Sequence, residues 1–449
     1  MARGRICGLS VRNLRFPTSL GSHGFDAKHT DPDCSAAYVV IETDSEDRFK
    51  GYGIMLTLGK DPEVVVGAVN ALTYYVLDKD LRDIVGDFRG FCRELTSDEQ
   101  FRLIGPEKDV VGLAVTAILN AVWDLWAKQE GKPLWKLLVD MAEGIVGPSE
   151  EKGMERIQRC CCPALISEIL QNGQHGKKER EKQMLRHGYP AYTTSCASLG
   201  HSDSTLKQLL KAALNDGWTR FKVKVGADLQ NDTRRCRLIR DMIGPEKTLM
   251  LDASERWDVP KALAWMSKLA EFKPLWIEKP TSQNDITGHA TISEALAPLG
   301  IGVAMEEQCH NRMMIKQLLH KKALQFLQID SCRLGSVNEN LSVLLMAKKF
   351  GIPVCPHAGG AGFCELVQHL IIFDYISISA SLQNRMCEYV DHLHEHFKYP
   401  AVIKHASYLP PKDAGYSTEM KEESVKKYQY PDGEVWRKLL EAQDLCVQI

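Results

Sequence analysis

The sequence predicts an α/β protein: a modified (β/α)8-type (TIM) barrel preceded by an α+β capping domain, with a C-terminal tail that packs back on the cap. Three observations carry this. Short apolar runs recur between Phe221 and Gly360, and each ends in a residue able to do chemistry: RFKVKVG, LMLDAS, LWIEKP, GVAMEE, FLQID and IPVCPHAGG. The terminal groups Lys224, Asp252, Glu278, Glu307, Asp330 and His357 follow one another at intervals of 23 to 29 residues, the length of a strand, its return helix and two loops. Helical stretches fill the intervals, at Asp232–Met242, Pro260–Lys268, His289–Pro298, Arg312–His320, Val337–Phe350 and Glu365–Phe373.

The capping domain is expected over residues 1–140. Three strand-like runs open it, ICGLSVRNLRF, AAYVVIETD and FKGYGIMLTLG, and the polar turn Asp44–Arg48 joins the last two as an antiparallel hairpin. From Pro62 the period becomes helical. In GLAVTAILNAVWDLWAKQEGKPLWKLL the residues Ala114, Ala117, Ala121 and Leu125 share one face, and Gly131 with Pro133 stops the helix. Residues 141–188 read as a connecting segment with one or two helices, or as a locally disordered one; GKKEREKQML is its helical part. The barrel is expected over 189–385, with YPAYTTSC as first strand and STLKQLLKAALNDG as first helix. The tail, 386–449, is polar and aromatic, with Pro400, Pro410 and Pro411.

Composition excludes several classes of function. An apolar fraction of 44%, a charged fraction of 25% and a net charge of −2 give no electrostatic reason to expect nucleic acid or a membrane surface as partner. No apolar run reads as reaching membrane-spanning length. The 14 cysteines show no CxxC pairs and read as reduced thiols of a soluble intracellular protein, in mitochondrion or cytosol. Arg3, Arg5, Arg12 and Arg15, with no acid among the first 25 residues, read either as a mitochondrial address or as an ordinary first strand.

Period-2 alternation puts Lys222 and Lys224 on one face of their strand, where the barrel lumen can solvate them and the helix layer cannot. An edge strand with two solvated lysines is the alternative, and the apolar neighbours disfavour it. Asp252, Glu278 and Glu307 supply three oxygen ligands from successive strands, suited to Mg²⁺ or Mn²⁺. No sulfur or imidazole accompanies them, which argues against zinc. Singly, each acid could be a helix cap or an ion-pair partner. Asp330 and His357 end neighbouring strands, and a carboxylate beside an imidazole makes a competent acid or base. His392, His394 and His396 alternate as ligands would, but in a polar segment after the barrel; the Cys160–Cys162 run lacks a second cluster. Neither is expected to bind metal.

K-x-K, D, E, E, then D and H on successive strands behind a cap resembles the mandelate-racemase-like branch of the enolase superfamily. YPAYTTSC, GWTRFKVKVGADL, RWDVP, QIDSCRLGSVNENL, CPHAGG and EYVDHLHEHFKYP are similar to its L-fuconate dehydratases. The resemblance implies a hydro-lyase in carbohydrate catabolism with a small-molecule sugar acid as partner, and a homo-oligomer is compatible with it. It implies Mg²⁺ on Asp252, Glu278 and Glu307. Lys224 would abstract the proton α to the substrate carboxylate, Lys222 would contact that carboxylate, and His357, oriented by Asp330, would protonate the departing hydroxyl. Gly24, Phe25, Asp26, Cys34, Ser254, Ala358, Gly359 and Glu388 would line the substrate pocket. A racemase or epimerase on the same scaffold, or a non-catalytic relative, is the alternative.

Four positions depart from the family pattern. D-A-N is Asp252-Ala253-Ser254, E-E-P is Glu278-Lys279-Pro280, T-G is Met305-Glu306, and a tyrosine usual in the cap is Cys34. Alternation predicts that Lys279 faces away from Glu278, where at ~6 Å and an effective dielectric of ~20 it costs roughly 3 kcal/mol for each like charge nearby.

Overall fold

The computed structural model describes residues 2–21, 33–58, 62–96, 110–145, 163–305, 309 and 311–447. Gly24, Phe25, Asp26, the Cys160–Cys162 run, Glu306 and Glu307 lie outside them.

The three N-terminal runs form an antiparallel meander, β1 (Ile6–Phe16), β2 (Cys34–Thr43) and β3 (Lys50–Leu58). The arginine-bearing stretch is therefore strand, and Arg12 and Arg15 pair with Glu422 and Glu63. Behind β3 lies the helix Val110–Gln129, on the small face that the sequence marks. Gly51 and Gly53 permit the contact. A Cβ at Gly53 would lie 2.0 Å from the Ala117 carbonyl oxygen, and one at Gly51 2.2 Å from that of Ala121, so the strand rests directly on helix backbone.

This helix corrects one expectation. Its 20 residues are long and apolar enough to cross a membrane, but most of that surface is buried inside the fold. Asp124 and Lys128 are buried with it and joined 2.8 Å apart. Among its described residues the connecting segment includes the helices Pro163–Gln174 and Lys177–His187.

The barrel strands are β4 (Tyr189–Thr193), β5 (Arg220–Lys224), β6 (Thr248–Asp252), β7 (Trp276–Glu278), β8 (Gly302–Met305) and β9 (Phe326–Leu327), parallel and in sequence order. Beyond β9, Val354 bridges Leu327 in parallel. β10 (Cys387–Tyr389) pairs in parallel with β4, and the Glu388 N–H donates to the Pro356 carbonyl at 3.0 Å. A three-residue ladder between β10 and β4, and backbone hydrogen bonds from residues 353–357 to the chain around β9, link the last strands back to the first. Tyr192, Met250, Trp276, Ala304, Phe326, Cys355 and Met386 pack together as an apolar plug inside the ring.

The return helices are capped by their own residues. Asp228, Asp258, Asp285 and Asn311 each accept a backbone N–H from the first turn that follows. Asp252 and Glu278 are thus not helix caps.

Past β10 the tail makes a hairpin, β11 (Val402–Lys404) and β12 (Ser407–Leu409), and β12 pairs antiparallel with β4. It then returns to the cap. Met420 N–H donates to the Tyr38 hydroxyl at 2.9 Å, Tyr430 N–H to the Asn13 carbonyl at 2.9 Å, and Trp436 Nε1 to the Arg15 carbonyl at 2.8 Å.

Candidate active site

Register across three strands sets the site. Lys224 lies opposite Asp252, and Asp252 opposite Glu278, so their side chains leave the sheet in one row at its carboxyl end. Lys222 follows its neighbour inward, as alternation requires. Its ammonium is 2.8 Å from Glu278 Oε1, 2.8 Å from Glu388 Oε1 and 3.8 Å from Asp252 Oδ2. Lys224 Nζ is 2.6 Å from Asp252 Oδ2. Lys222, Asp252, Glu278 and Glu388 are all buried; Lys224 is partly exposed.

Lys279 departs from its expected orientation. Its φ is +45°, in the left-handed region, and that ends the strand alternation at Glu278. The side chain is turned into the mouth, with Nζ 3.8 Å from Asp252 Oδ2 and 3.8 Å from Glu278 Oε1. There it attracts the two acids.

Burial works to raise the Asp252 carboxyl, but the ammonium groups of Lys224, Lys279 and Lys222 outweigh it and hold it well below the usual carboxylate range. Burial acts the same way on Glu388, and the Lys222 ammonium outweighs it to lower its pKa.

On the opposite side, His357 Nδ1 is 3.1 Å from Asp330 Oδ2. Asp330 is itself fixed through Oδ1, which accepts the backbone N–H groups of Cys332 at 2.7 Å and Arg333 at 2.8 Å. The Gly359 N–H donates to His357 Nε2 at 3.3 Å. This network assigns the tautomer: Nδ1–H donates to Asp330, and Nε2 carries the lone pair. Glu388 Oε2 stands 3.7 Å from that nitrogen and accepts the Ala358 N–H at 3.1 Å. Glu388 therefore spans the mouth between Lys222 and His357.

The remaining candidates fall around this cluster. Ser254 turns onto Asp252, its N–H 2.8 Å and its hydroxyl 3.3 Å from Oδ1. Cys34 is buried at the end of β2 beside Ala361, and burial raises its thiol pKa. His394 and His396 separate, the first bonded to Glu365 and the second to Ser424.

Three positions escaped the reading of the sequence. Gln328 Nε2 donates to Glu278 Oε2 at 2.8 Å; it stands two residues before Asp330 on the same face, a period-2 signal that could have found it. Tyr192 lies beneath Lys222, whose Nζ is 5.4 Å from the ring centre. Arg235 reaches back from its helix to bond the Lys224 carbonyl at 2.8 Å, and no spacing announces that.

Asp252 and Glu278 converge on shared cations and offer only hard oxygen donors, which fits Mg²⁺. With Glu307, outside the described residues, they would hold it; among the described residues no set of three acidic, histidine or cysteine ligands comes together.

Comparison with known proteins gives the following. Residues 205–424 match the family model described as enolase C-terminal domain-like. The human protein named mitochondrial enolase superfamily member 1 is 75% identical over 444 residues, covering 99% of this chain and 100% of its own. Its crystal structure superposes with a TM-score of 0.94 at 74% identity, over 98% of this chain and 99% of that one. L-galactonate dehydratase of Hypocrea jecorina is 45% identical over 437 residues, covering 96% of this chain and 95% of its own. The L-talarate/galactarate dehydratase of Salmonella typhimurium LT2, solved with Mg and L-lyxarohydroxamate, shares the fold at a TM-score of 0.74 and 21% identity, over 95% of this chain and 93% of that one.

Proposed function

The chain belongs to the enolase superfamily, and from that premise we propose that it is a Mg²⁺-dependent sugar-acid dehydratase, converting L-fuconate to 2-keto-3-deoxy-L-fuconate and water. The observation that carries this reading is the bridge through Glu388, which joins Lys222 at 2.8 Å to His357 at 3.7 Å. It ties the strand that carries Lys222 and Lys224, the latter suited to take a proton, to His357, suited to give one, at a single mouth. The named activity of the 45% identical relative, an L-galactonate dehydratase, supports the substrate class.

A proton α to a carboxylate is only weakly acidic, and removing it makes a dianionic enediolate. Lys222 places positive charge against the substrate carboxylate as that charge develops. Lys224, paired with Asp252 at 2.6 Å, must first give up its own proton, and then takes the α-proton as a neutral amine. His357 must gain a proton at Nε2 before it can act as an acid, and Asp330 and Glu388 stabilise the resulting imidazolium. It then protonates the departing hydroxyl, so that the C–O bond breaks with loss of water. Bound at Asp252, Glu278 and Glu307, Mg²⁺ would supply further positive charge where the substrate's negative charge accumulates. The names of the vertebrate relatives support a mitochondrial site of action.

Incubation with L-fuconate and MgCl₂ is expected to yield the 2-keto-3-deoxy acid, and the Lys224→Ala variant to lose both product and exchange of the α-hydrogen in D₂O, by about 10²-fold or more. Exchange without loss of water would favour a racemase. A second reading, a relative impaired in catalysis, is favoured by Lys279 between two of the metal-binding candidates. Absence of product from an L-fuconate and acid-sugar screen, with Mg²⁺ bound, would decide for it.

A further inference from the structure

Asp252, Glu278 and Glu388 are met by the ammonium groups of Lys222, Lys224 and Lys279. These described groups are already balanced in charge, three against three. Lys222 and Lys224 belong to the face of β5 that lines the barrel. Lys279 reaches the site by another route. Its left-handed φ of +45° turns the side chain inward, and its backbone is bonded on both sides: its N–H donates to the Ala304 carbonyl at 3.0 Å and its carbonyl accepts the Glu255 N–H at 2.8 Å. Its side chain is only 9% exposed and its Nζ is equidistant, at 3.8 Å, from one oxygen of each acid. That is the bridging position of a counter-ion.

We propose that the Lys279 ammonium is a tethered counter-cation of the Asp252–Glu278 pair, which holds the two carboxylates together without metal and which a divalent cation must displace in order to bind. The inference rests on the reading of these acids as the cation-binding pair. Two buried carboxylates side by side repel. Lys222 and Lys224 meet them from the β5 side, and Lys279 adds a bridging cation from the turn after β7, on a flexible four-carbon stem that lets the head group swing away. A divalent ion that seeks the same oxygens meets a like charge already there, so its affinity is lowered while Lys279 stays in place.

Calorimetric titration of the full chain with MgCl₂ tests this. Lys279→Met is expected to bind Mg²⁺ at least tenfold more tightly than the unaltered chain. Its melting temperature should rise with Mg²⁺ and fall with EDTA, while that of the unaltered chain changes little. Equal affinities, or no binding to either, would overturn the proposal. Asp252→Asn in the Lys279→Met background separates the two layers. Loss of binding there, with equal affinities in the parent pair, leaves the cation-site reading standing and removes the counter-cation; retained binding removes both. A measurement on the unaltered protein stands beside these should the variants fold poorly. Reductive methylation of Lys279, followed by mass spectrometry, is expected to increase severalfold at saturating Mg²⁺, and unchanged labelling there would overturn the proposal.

Discussion

A methyl group added at Gly359 would meet His357 Nε2 at 2.8 Å. The imidazole cannot yield freely, because Nδ1 is held by Asp330 at 3.1 Å. Gly359→Ala is therefore expected to tilt the ring and lower kcat about 100-fold, the usual penalty for displacing a reacting group by an ångström. The melting temperature should fall by no more than about 3 °C, since a single ring moves; a larger fall with kcat intact would sink this. Left-handed turns follow the two strand-end acids. Ser254 and Glu255 have φ of +49° and +59°, and Lys279 +45°. Each such turn costs a residue with a side chain about 1–2 kcal/mol, and each faces the mouth of the barrel, where local strain is commonly concentrated. Alternation along LWIEKP located Glu278 and failed one residue later, because a period of two holds only while φ stays extended.

At the level of elements, the cap depends on how closely β3 approaches the helix Val110–Gln129. Gly53 needs no unusual backbone angle; only space forbids a side chain there. Gly53→Ala is expected to cost about 1–3 kcal/mol by overpacking, with kcat of the folded protein unchanged; unfolding in urea would measure it. The sequence located the three cap strands and the barrel's return helices closely, since each has a clean period and a turn residue at its end. It underestimated the long helix. Ala114, Ala117, Ala121 and Leu125 mark the face against β3, but residues from Ala114 to Gln129 are buried on every side, because other elements cover the faces that the sheet leaves.

Two histidines tie the whole molecule together with opposite responses to pH. His369 receives the Trp135 N–H from the cap helix Leu134–Ile145 at 3.1 Å and pairs with the Ser417 hydroxyl of the tail at 3.0 Å. Burial lowers its pKa to about 3. The folded form resists a proton that the unfolded chain accepts, so the stability from this junction is present above about pH 6.5 and is lost as pH falls towards 3. His394 is the reverse. Burial works to lower its pKa, but the bond to Glu365 and its charge outweigh that and raise it to about 9. Its contribution, about 3 kcal/mol, is complete below about pH 6.5 and disappears as pH rises through 9. Melting temperatures measured across pH should show His369→Gln flattening the acid limb. His394→Gln should lower stability at neutral pH, with the difference gone above about pH 9; a gap that persists there would refute the assignment.

By itself the sequence determined the alternation of strands and helices, the row Lys222, Lys224, Asp252 and Glu278, and the pairing of Asp330 with His357. Those depend on local period and on one polar group per strand end, and both are written in spacing. Tertiary structure alone decided that Glu388, from beyond the return helices, spans the mouth, that Arg235 braces the site, and that Lys279 turns inward. These follow from which distant segments share a space and from a single backbone angle after a strand, and neither has a repeat for the linear chain to display.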